Sequence, residues 1–274
     1  MVVSADLSAS EYGLVESPRD GEEKMNELEG RVALVTGAAR GIGRATAEAF
    51  AKRGAHLALV DLDEAALQKV ALELSSGGVR AESFAGDLSR VEDIRTVFAS
   101  AWDAFGRLDA VANVAAIYPM MPTLEVTEEH WDAVHTLDLR GVFFCCQEAL
   151  RRMIEQGHGA IVNVSSGSAY RASQPFAVAY SAAKAGVIAM SRSLALDGAR
   201  KGVRVNVVAP GYTESDGMMS IVPEEARRKQ AEDLVPGRLI QPAEVAEAIV
   251  FLCTDSASGM NGATMHVSGG DYMP

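Results

Sequence analysis

The chain is short of the features that mark several classes of protein. Its 274 residues include three cysteines, Cys145, Cys146 and Cys253, whose number and spacing fit neither a disulfide framework nor a metal cluster. No apolar run approaches the length of about 18 residues that suggests a membrane span, and the N-terminus lacks the basic and apolar segments of a secretory signal. We therefore expect a protein of the reducing cytoplasm without a membrane partner.

Basic residues are also fewer than acidic residues. Lys and Arg total 25 against 37 Asp and Glu, which gives a formal charge of −12. Nucleic-acid binding draws its affinity from cations that neutralise phosphates, so this balance argues against a nucleic-acid partner. The five histidines are scattered without ligand spacing, and we expect no metal centre. The hydrophobic content of 48% is ordinary for a globular domain with one sizeable core.

The chain divides into a short tail and one domain. Residues 1 to 28 begin with a polar, mostly acidic stretch, and we predict a disordered acidic N-terminal tail there. Met25 precedes the first strand closely enough to offer a second start site. Residues 29 to 274 contain no internal repeat and no Pro/Gly-rich linker, so we predict a single domain.

From Arg31 onward, short apolar β-branched runs alternate with longer helical patterns. This alternation is typical of an α/β protein whose parallel sheet is covered by helices on both faces. We predict a doubly wound (Rossmann) parallel seven-stranded sheet. The predicted strands are residues 32–36, 56–61, 80–85, 110–113, 160–164, 204–209 and 264–267.

A glycine-rich turn follows the first predicted strand. It reads Thr36-Gly37-Ala38-Ala39-Arg40-Gly41-Ile42-Gly43 and runs directly into a helical pattern. Glycines at such a turn let the backbone approach a pyrophosphate, whose charge then lies at a helix N-terminus. A glycine triplet alone is weak evidence, but its place between a strand and a helix strengthens the prediction of a dinucleotide site.

An acid at the end of the second predicted strand indicates which dinucleotide. Asp61 lies 18 residues beyond Gly43 and can accept hydrogen bonds from the adenosine ribose, whereas it would repel a 2′-phosphate. This favours NAD over NADP, although Arg40 could reach a 2′-phosphate. The alternative role for Asp61 is to cap the next helix. Asp87, after the third predicted strand, could meet the adenine edge or cap the helix that begins near Val91.

Tyr180 and Lys184 are four residues apart, a spacing that places both on one helix face. An unperturbed phenol has a pKa of about 10, so a Tyr that acts near neutrality needs a stabilising cation. Taken alone, the pair is more often a solvated surface Tyr and Lys.

Together these motifs resemble the short-chain dehydrogenase/reductase family over residues 30 to 272. Residues 36–43 are similar to its TGxxxGIG loop, and residues 180–184 to its YxxxK motif. Ser166, 14 residues before Tyr180, matches the family's catalytic serine. Pro210-Gly211 matches its PG motif, and residues 267–270 resemble its C-terminal strand and turn.

The resemblance implies a role for each of these side chains. Tyr180 would exchange a proton with the substrate oxygen, Lys184 would lower the pKa of Tyr180 and bind the nicotinamide ribose, and Ser166 would bind the carbonyl or alcohol. Ser165 and Ser168 are rivals for the role of Ser166. A non-catalytic nucleotide-binding protein on the same fold would need none of this triad.

Two positions depart from the family pattern. Its NNAG motif appears here as Asn113-Val114-Ala115-Ala116, which keeps the first Asn and alters the rest of a cofactor wall. A fourth catalytic residue, Asn in the family, aligns with Asp138. We include Asp138 among the catalytic candidates, because its carboxylate near Lys184 would alter the pH optimum.

The remaining expectations follow from the resemblance. We expect NAD as the cofactor, a small-molecule alcohol or ketone as substrate, and a homotetramer formed partly by the helices around residues 128–153 and 176–200. The substrate is expected to be uncharged and fairly bulky, an alicyclic or aromatic alcohol, and the alternative activity is that of a 3-oxoacyl carrier-protein reductase. The expected cofactor-binding residues are Gly37, Arg40, Gly41, Ile42, Gly43, Asp61, Leu62, Asp87, Leu88, Asn113, Tyr180, Lys184, Pro210, Gly211, Thr213 and Ser215. The expected substrate-binding residues are Ser166, Tyr118, Gln174, Tyr212 and Met218.

Overall fold

The computed structural model describes residues 27–171 and 176–273, and in this part of the chain it forms a seven-stranded, wholly parallel sheet. The strand order is β3-β2-β1-β4-β5-β6-β7. The strands are β1 Val32–Thr36, β2 His56–Asp61, β3 Ala81–Ala85, β4 Ala110–Asn113, β5 Gly159–Val164, β6 Val203–Pro210 and β7 Thr264–Val267. The predicted Rossmann sheet is confirmed, with each strand boundary within one residue of the expected position.

Helices connect the strands and cover both faces of the sheet. They are α1 Gly41–Ala51, α2 Glu64–Ser75, α3 Val91–Phe105, α4 Glu128–His135, α5 Val142–Gln156, α6 Val178–Ala199, α7 Asp216–Ile221, α8 Glu224–Asp233 and α9 Pro242–Cys253. A π-helical turn, Thr136–Gly141, joins α4 directly to α5. No helix within residues 27–171 and 176–273 is long and apolar enough to cross a membrane.

The five inner strands of the sheet are largely apolar because each contributes to two cores. Along β1, Ala33 and Val35 pack into the core beneath α1, α2 and α9, whereas Val32 and Leu34 pack into the core beneath α3, α5 and α6. Successive side chains of a strand point to opposite faces, so both faces of β1 are buried. The three cysteines are buried free thiols.

The folded part begins earlier than the sequence indicated. Leu28, which the predicted tail included, has 2% of its surface exposed and packs into the core beneath α1. Its N–H donates to the carbonyl of Arg53 at the end of α1. The remainder of the predicted tail, including Met25, lies outside the described residues.

The order of the strands creates a crevice at their carboxyl ends. β1 pairs with β2 on one side and with β4 on the other. The chain runs from β1 to β3 in one direction across the sheet and from β4 to β7 in the other. Ligands of open α/β sheets bind where the strand order reverses in this way.

Candidate active site

A cavity of about 780 Å³ opens at this point of the sheet. The glycine turn and the end of β2 line one part of it, and Ser166, Tyr180 and Lys184 line another. Its volume is within the range for sites that hold a cofactor or a small molecule. The fold therefore brings residues from the carboxyl ends of all seven strands and from α6 to one site.

The glycine turn is packed so tightly that two of its members must be glycine. Gly37 has a φ of +67°, and an added Cβ would lie 2.9 Å from the Cα of Ala115. A Cβ on Gly43 would lie 1.9 Å from the carbonyl oxygen of Gly37. This close approach sets the N-terminus of α1 directly against the end of β1, where the first turn of the helix lines the cavity.

Thr36 fastens the turn to the neighbouring loop. Its buried Oγ1 accepts hydrogen bonds from the N–H of Val114 at 2.9 Å and of Ala115 at 3.1 Å. Val114, Ala115 and Ala116, which depart from the family motif, therefore still form a wall of the cavity.

Asp61 links the end of β2 to the glycine turn. Its Oδ2 accepts from the N–H of Ala39 at 3.0 Å, and its Oδ1 accepts from the N–H of Asp63 at 3.1 Å. The N-cap of α2 is Asp63, whose Oδ1 accepts from the N–H of Ala66. The alternative role of Asp61 as a helix cap is therefore wrong, and its carboxylate faces the cavity.

Asp87 is also at this end of the cavity. Its Oδ1 accepts from the N–H of Ser89 at 2.9 Å, while the N-cap position of α3 is held by Arg90 without a capping side chain. The alternative role of Asp87 as the cap of α3 is wrong as well. Leu62, Leu88 and Arg40 line the same part of the cavity.

A contact that the sequence did not reveal closes over the glycine turn. The Oδ2 of Asp216, the first residue of α7, accepts from the N–H of Gly41 at 2.9 Å. That N–H belongs to the helix N-terminus predicted to hold a pyrophosphate, and the carboxylate shows that it binds an anion. Asp216 adjoins Ser215, which caps α7 and was expected at the site, but no local pattern indicates its distant partner.

The predicted catalytic side chains meet at the end of β5. Tyr180 and Lys184 lie on the first and second turns of α6, and Tyr180 shares a hydrogen bond with Ser166. The Oγ of Ser165 instead donates to the carbonyl of Lys184 at 2.8 Å and is buried, which removes it as a rival. The Oγ of Ser166 also accepts from the N–H of Ser168 at 3.1 Å, so the hydroxyl is held in place.

Lys184 is deeply buried beneath the phenol. Only 1% of its surface is exposed, and its Nζ lies 5.5 Å from the ring centre of Tyr180. The ammonium donates to the carbonyl of Val164 at 3.1 Å and lies 3.6 Å from the Oδ2 of Asp138. On its other side, the ring of Tyr180 makes an edge contact with Tyr118, with ring centres 4.5 Å apart.

Asp138 forms an ion pair with Lys184 without lining the cavity. It lies in the π-helical turn with none of its surface exposed, and its Oδ1 accepts from the N–H of Ile117 at 2.9 Å. Its Oδ2 has no hydrogen-bond partner among the described residues. Burial raises the pKa of Asp138, and the positive charge of Lys184 opposes that rise.

The electrostatics of Tyr180 differ from the expectation. Burial raises the pKa of its phenol, the negative charge of Asp138 raises it further, and only the hydrogen bond with Ser166 lowers it. The chain's own groups therefore do not produce the depressed pKa that the resemblance implied. The physical reason is that the Lys184 cation faces a carboxylate as well as the phenol.

Asn113 is not at the cavity, in contrast to the prediction. Its Nδ2 donates to the Oδ1 of Asn163 on the neighbouring strand at 2.8 Å, and the Nδ2 of Asn163 donates to the Oγ of Ser191 on α6 at 2.9 Å. All three residues are buried. This placement gives Asn113 a part in holding β4, β5 and α6 together.

The other predicted site residues line the cavity where the structure describes them. Gln174 lies outside the described residues, and sequence reasoning missed Asp271, which lines the cavity near Ser166. The predicted residues that line it are Gly37, Arg40, Gly41, Ile42, Gly43, Asp61, Leu62, Asp87, Leu88, Tyr118, Ser166, Tyr180, Lys184, Pro210, Gly211, Tyr212, Thr213, Ser215 and Met218.

These residues fit a dinucleotide. One cavity contains the glycine turn, Asp61 and Tyr180. The turn has no room for a Cβ at Gly43, and the N–H of Gly41 already binds a carboxylate. Asp61 and Asp87 would hold the adenosine part, and the N-terminus of α1 would hold the pyrophosphate. Lys184 and the loop after β6 would hold the nicotinamide part.

Comparison with known proteins agrees with this arrangement. A family model described as enoyl-(acyl carrier protein) reductase matches residues 37–271. The cis-4-hydroxycyclohexanecarboxylate dehydrogenase of Sinomonas cyclohexanicum is 43% identical, over 88% of this chain and 96% of its own length. The 3-oxoacyl-(acyl-carrier-protein) reductase of Vibrio cholerae is 38% identical, over 90% of this chain and 99% of its own.

A solved structure has the same fold. A short-chain alcohol dehydrogenase structure from Sinorhizobium meliloti superposes with a TM-score of 0.84 at 35% identity, over 90% of this chain and 98% of that one. The chain therefore belongs to the short-chain dehydrogenase/reductase family, whose members are oxidoreductases that use a nicotinamide cofactor, NAD or NADP.

Proposed function

We propose that this protein is an NAD-dependent oxidoreductase that interconverts a secondary alcohol and its ketone. One observation carries the proposal. The hydrogen-bonded pair Ser166 and Tyr180, with Lys184 beneath it, lies in the same cavity as the glycine turn and Asp61. A protein that only bound a nucleotide would not need this second set of residues.

The proposed chemistry assigns a task to each side chain. In the oxidative direction, the Oη of Tyr180 takes the proton of the substrate hydroxyl, and the Oγ of Ser166 holds the same oxygen in position. When bound, the nicotinamide supplies the acceptor or donor of the hydride. Lys184 holds the cofactor ribose and keeps a positive charge beneath the phenol.

The walls near Tyr180 favour an uncharged and fairly bulky substrate, an alicyclic or aromatic alcohol. Apolar side chains of Ile117, Pro119, Met218 and Ile221 line the cavity together with the ring of Tyr118. Such walls favour a hydrocarbon skeleton, and methionine adapts to its shape. The relative from Sinomonas cyclohexanicum is named for a ring alcohol that carries a carboxylate, which supports the alicyclic form of the proposal and not the absence of charge.

Reduction of a 3-oxoacyl carrier-protein substrate is the second candidate. The relative from Vibrio cholerae, which is named for this activity, favours it. Two features oppose it: the formal charge of −12 would repel an acidic carrier protein, and the carboxylate of Asp61 disfavours a cofactor with a 2′-phosphate.

We also propose a homotetramer. Helix α6 presents Leu196 with 79% of its surface exposed, as expected if the outer side of this helix meets a second copy. Light scattering that gave the mass of one chain would contradict this assembly.

The proposed activity and cofactor can be tested together. We expect purified protein to oxidise members of a panel of secondary alcohols with a higher kcat/KM for NAD than for NADP. At about 4 Å and an effective dielectric near 20, repulsion between Asp61 and a 2′-phosphate amounts to roughly 4 kcal/mol, or nearly a thousandfold. The measurement is the initial rate of formation of the reduced nicotinamide with each cofactor.

A matched pair of variants measures how much the carboxylate of Asp61 contributes to the preference for NAD. Asp61→Asn should narrow the preference for NAD while its amide oxygen still accepts from the N–H of Ala39. Glu64→Gln removes the same charge from the first turn of α2 and should leave the preference unchanged, because Glu64 does not line the cavity. A higher kcat/KM with NADP in the unmodified protein would refute the argument from Asp61.

The pH dependence of the reaction tests the role of Asp138. Its negative charge raises the pKa of Tyr180. Asp138→Asn removes that charge while an amide oxygen can still accept from the N–H of Ile117. Since alcohol oxidation requires Tyr180 to accept a proton, we expect the rising limb of the kcat/KM profile to move to lower pH. Below the wild-type midpoint, the variant should be the faster enzyme.

The control for this experiment removes a carboxylate that does not face the site. Asp132 is exposed on α4, and Asp132→Asn should leave the profile in place. A profile of Asp138→Asn that coincided with that of the wild type, or moved to higher pH, would rule out an electrostatic role for the buried carboxylate.

A further inference from the structure

One carboxylate in the cavity has no part in the chemistry proposed so far. Asp271 follows β7 after the turn Ser268-Gly269-Gly270, in which both glycines have positive φ. Its N–H donates to the carbonyl of Ser268 at 3.1 Å, and its side chain lines the cavity with only 7% of its surface exposed. The turn at the end of β7 therefore delivers an acid to the site.

The carboxylate is held from one side. Its Oδ1 accepts from the guanidinium of Arg171 in an ion pair. The neighbours of both partners pack together, since the rings of Tyr170 and Tyr272 stack with their centres 4.8 Å apart. His266 on β7 completes the cluster, with its ring centre 4.8 Å from that of Tyr170. The orientation of Asp271 is thus fixed before any substrate binds.

The second oxygen of Asp271 lies beside the segment that carries Ser166. Its Oδ2 lies 3.7 Å from the position that a Cβ on Gly167 would take, and Gly167 directly follows Ser166. The hydrogen bond from Arg171 goes to the other carboxylate oxygen, Oδ1. A fixed carboxylate therefore lies in the cavity wall next to the residue that follows Ser166.

The other charges around the cavity lie elsewhere. Arg40, Asp61 and Asp87 belong to the glycine turn and the ends of β2 and β3, and Lys184 lies beneath Tyr180. Asp216 is bonded to the N–H of Gly41. Within the described lining, Asp271 is consequently the charged group that the end of β7 places beside Gly167.

A carboxylate oxygen can only accept hydrogen bonds, and a hydroxyl donor forms a strong, charge-assisted bond with it. An apolar substrate group placed against Asp271 would remove water from its carboxylate without supplying a hydrogen bond, which costs free energy. A carboxylate on the substrate at this position would be repelled by the negative charge of Asp271. We infer that the substrate carries a second hydroxyl near the reacting carbinol, and that Asp271 receives it. This inference rests on the proposed function and makes Asp271 the residue that separates diols from simple alcohols.

The test compares alcohols that share a skeleton. The first pair is 1,2-cyclohexanediol and cyclohexanol, and the second is 1-phenyl-1,2-ethanediol and 1-phenylethanol. The wild-type kcat/KM should favour the diol of each pair by roughly 10- to 100-fold, the range for a hydrogen bond to a charged group. Asp271→Ala should reduce that ratio to near one, and Asp271→Asn should give an intermediate ratio.

A further variant separates recognition from folding. Arg171→Gln breaks the same ion pair but leaves the carboxylate, so it should lower the ratio of diol to simple-alcohol rates less than Asp271→Ala does. A ratio that Asp271→Ala leaves unchanged would overturn the inference, and so would faster turnover of a ring alcohol bearing a carboxylate in place of the second hydroxyl. Absence of turnover of every alcohol with either cofactor would instead contradict the proposed function itself.

Discussion

Replacing Tyr180 by Phe should lower kcat for alcohol oxidation by roughly 10²- to 10⁴-fold, the usual contribution of a positioned acid or base. The variant loses the hydroxyl that shares a hydrogen bond with Ser166 and that would take the substrate proton. The ring itself remains, and so does its edge contact with Tyr118. Because the ring still fills its place, we expect cofactor binding and the melting temperature to change little. Steady-state rates and cofactor titration on the same preparation measure both quantities.

Tyr118 provides the matched control for this experiment. It lines the same cavity, its ring centre lies 4.5 Å from that of Tyr180, and burial raises the pKa of its phenol to about 12. Unlike Tyr180, it shares no hydrogen bond with Ser166 in the described part of the chain, so Tyr118→Phe should retain most of the activity. Equal activity of Tyr180→Phe and the wild type would refute the assigned proton transfer.

Replacing Gly43 by Ala should damage both stability and cofactor binding. The new Cβ would lie 1.9 Å from the carbonyl oxygen of Gly37 and 2.5 Å from its carbonyl carbon. Both contacts are with backbone, so they can be relieved only if α1 moves away from the end of β1. Overpacking of this kind costs about 3 kcal/mol, which corresponds to a fall of roughly 5 to 10 °C in melting temperature.

The displacement of α1 would also move its first turn, which lines the cavity, so the KM for the cofactor should rise. Gly217→Ala is the control, because Gly217 lies in α7 with no atom within 4 Å of the added Cβ and without a positive φ. This second variant should be as stable as the wild type or slightly more stable, since alanine favours a helix. If both variants melted at the wild-type temperature, the tight approach of α1 to β1 would be wrong.

Much of the fold could be predicted because its signals are local. Apolar β-branched runs such as β1 and β5 are continuous since both faces of each strand are buried, and this pattern is visible without knowing the partners. The glycine turn is equally local, because β1, the turn and α1 are consecutive in the chain. The end of the tail was missed because a single Leu28 in polar surroundings gives no periodic signal before its partner helix is known.

The features of the site also differ in whether they depend on local sequence or on tertiary contacts. The sequence by itself determined the strands, the glycine turn, the acid after β2 and the spacing of Tyr180 and Lys184, because each depends on neighbours within a few residues. Only the tertiary structure decided that Asn113 is a core residue, that Asp138 forms a buried ion pair with Lys184, and that Asp216 and Asp271 reach the cavity. These four placements depend on elements far apart in the chain, and the electrostatics of a buried charge depend on every group packed around it.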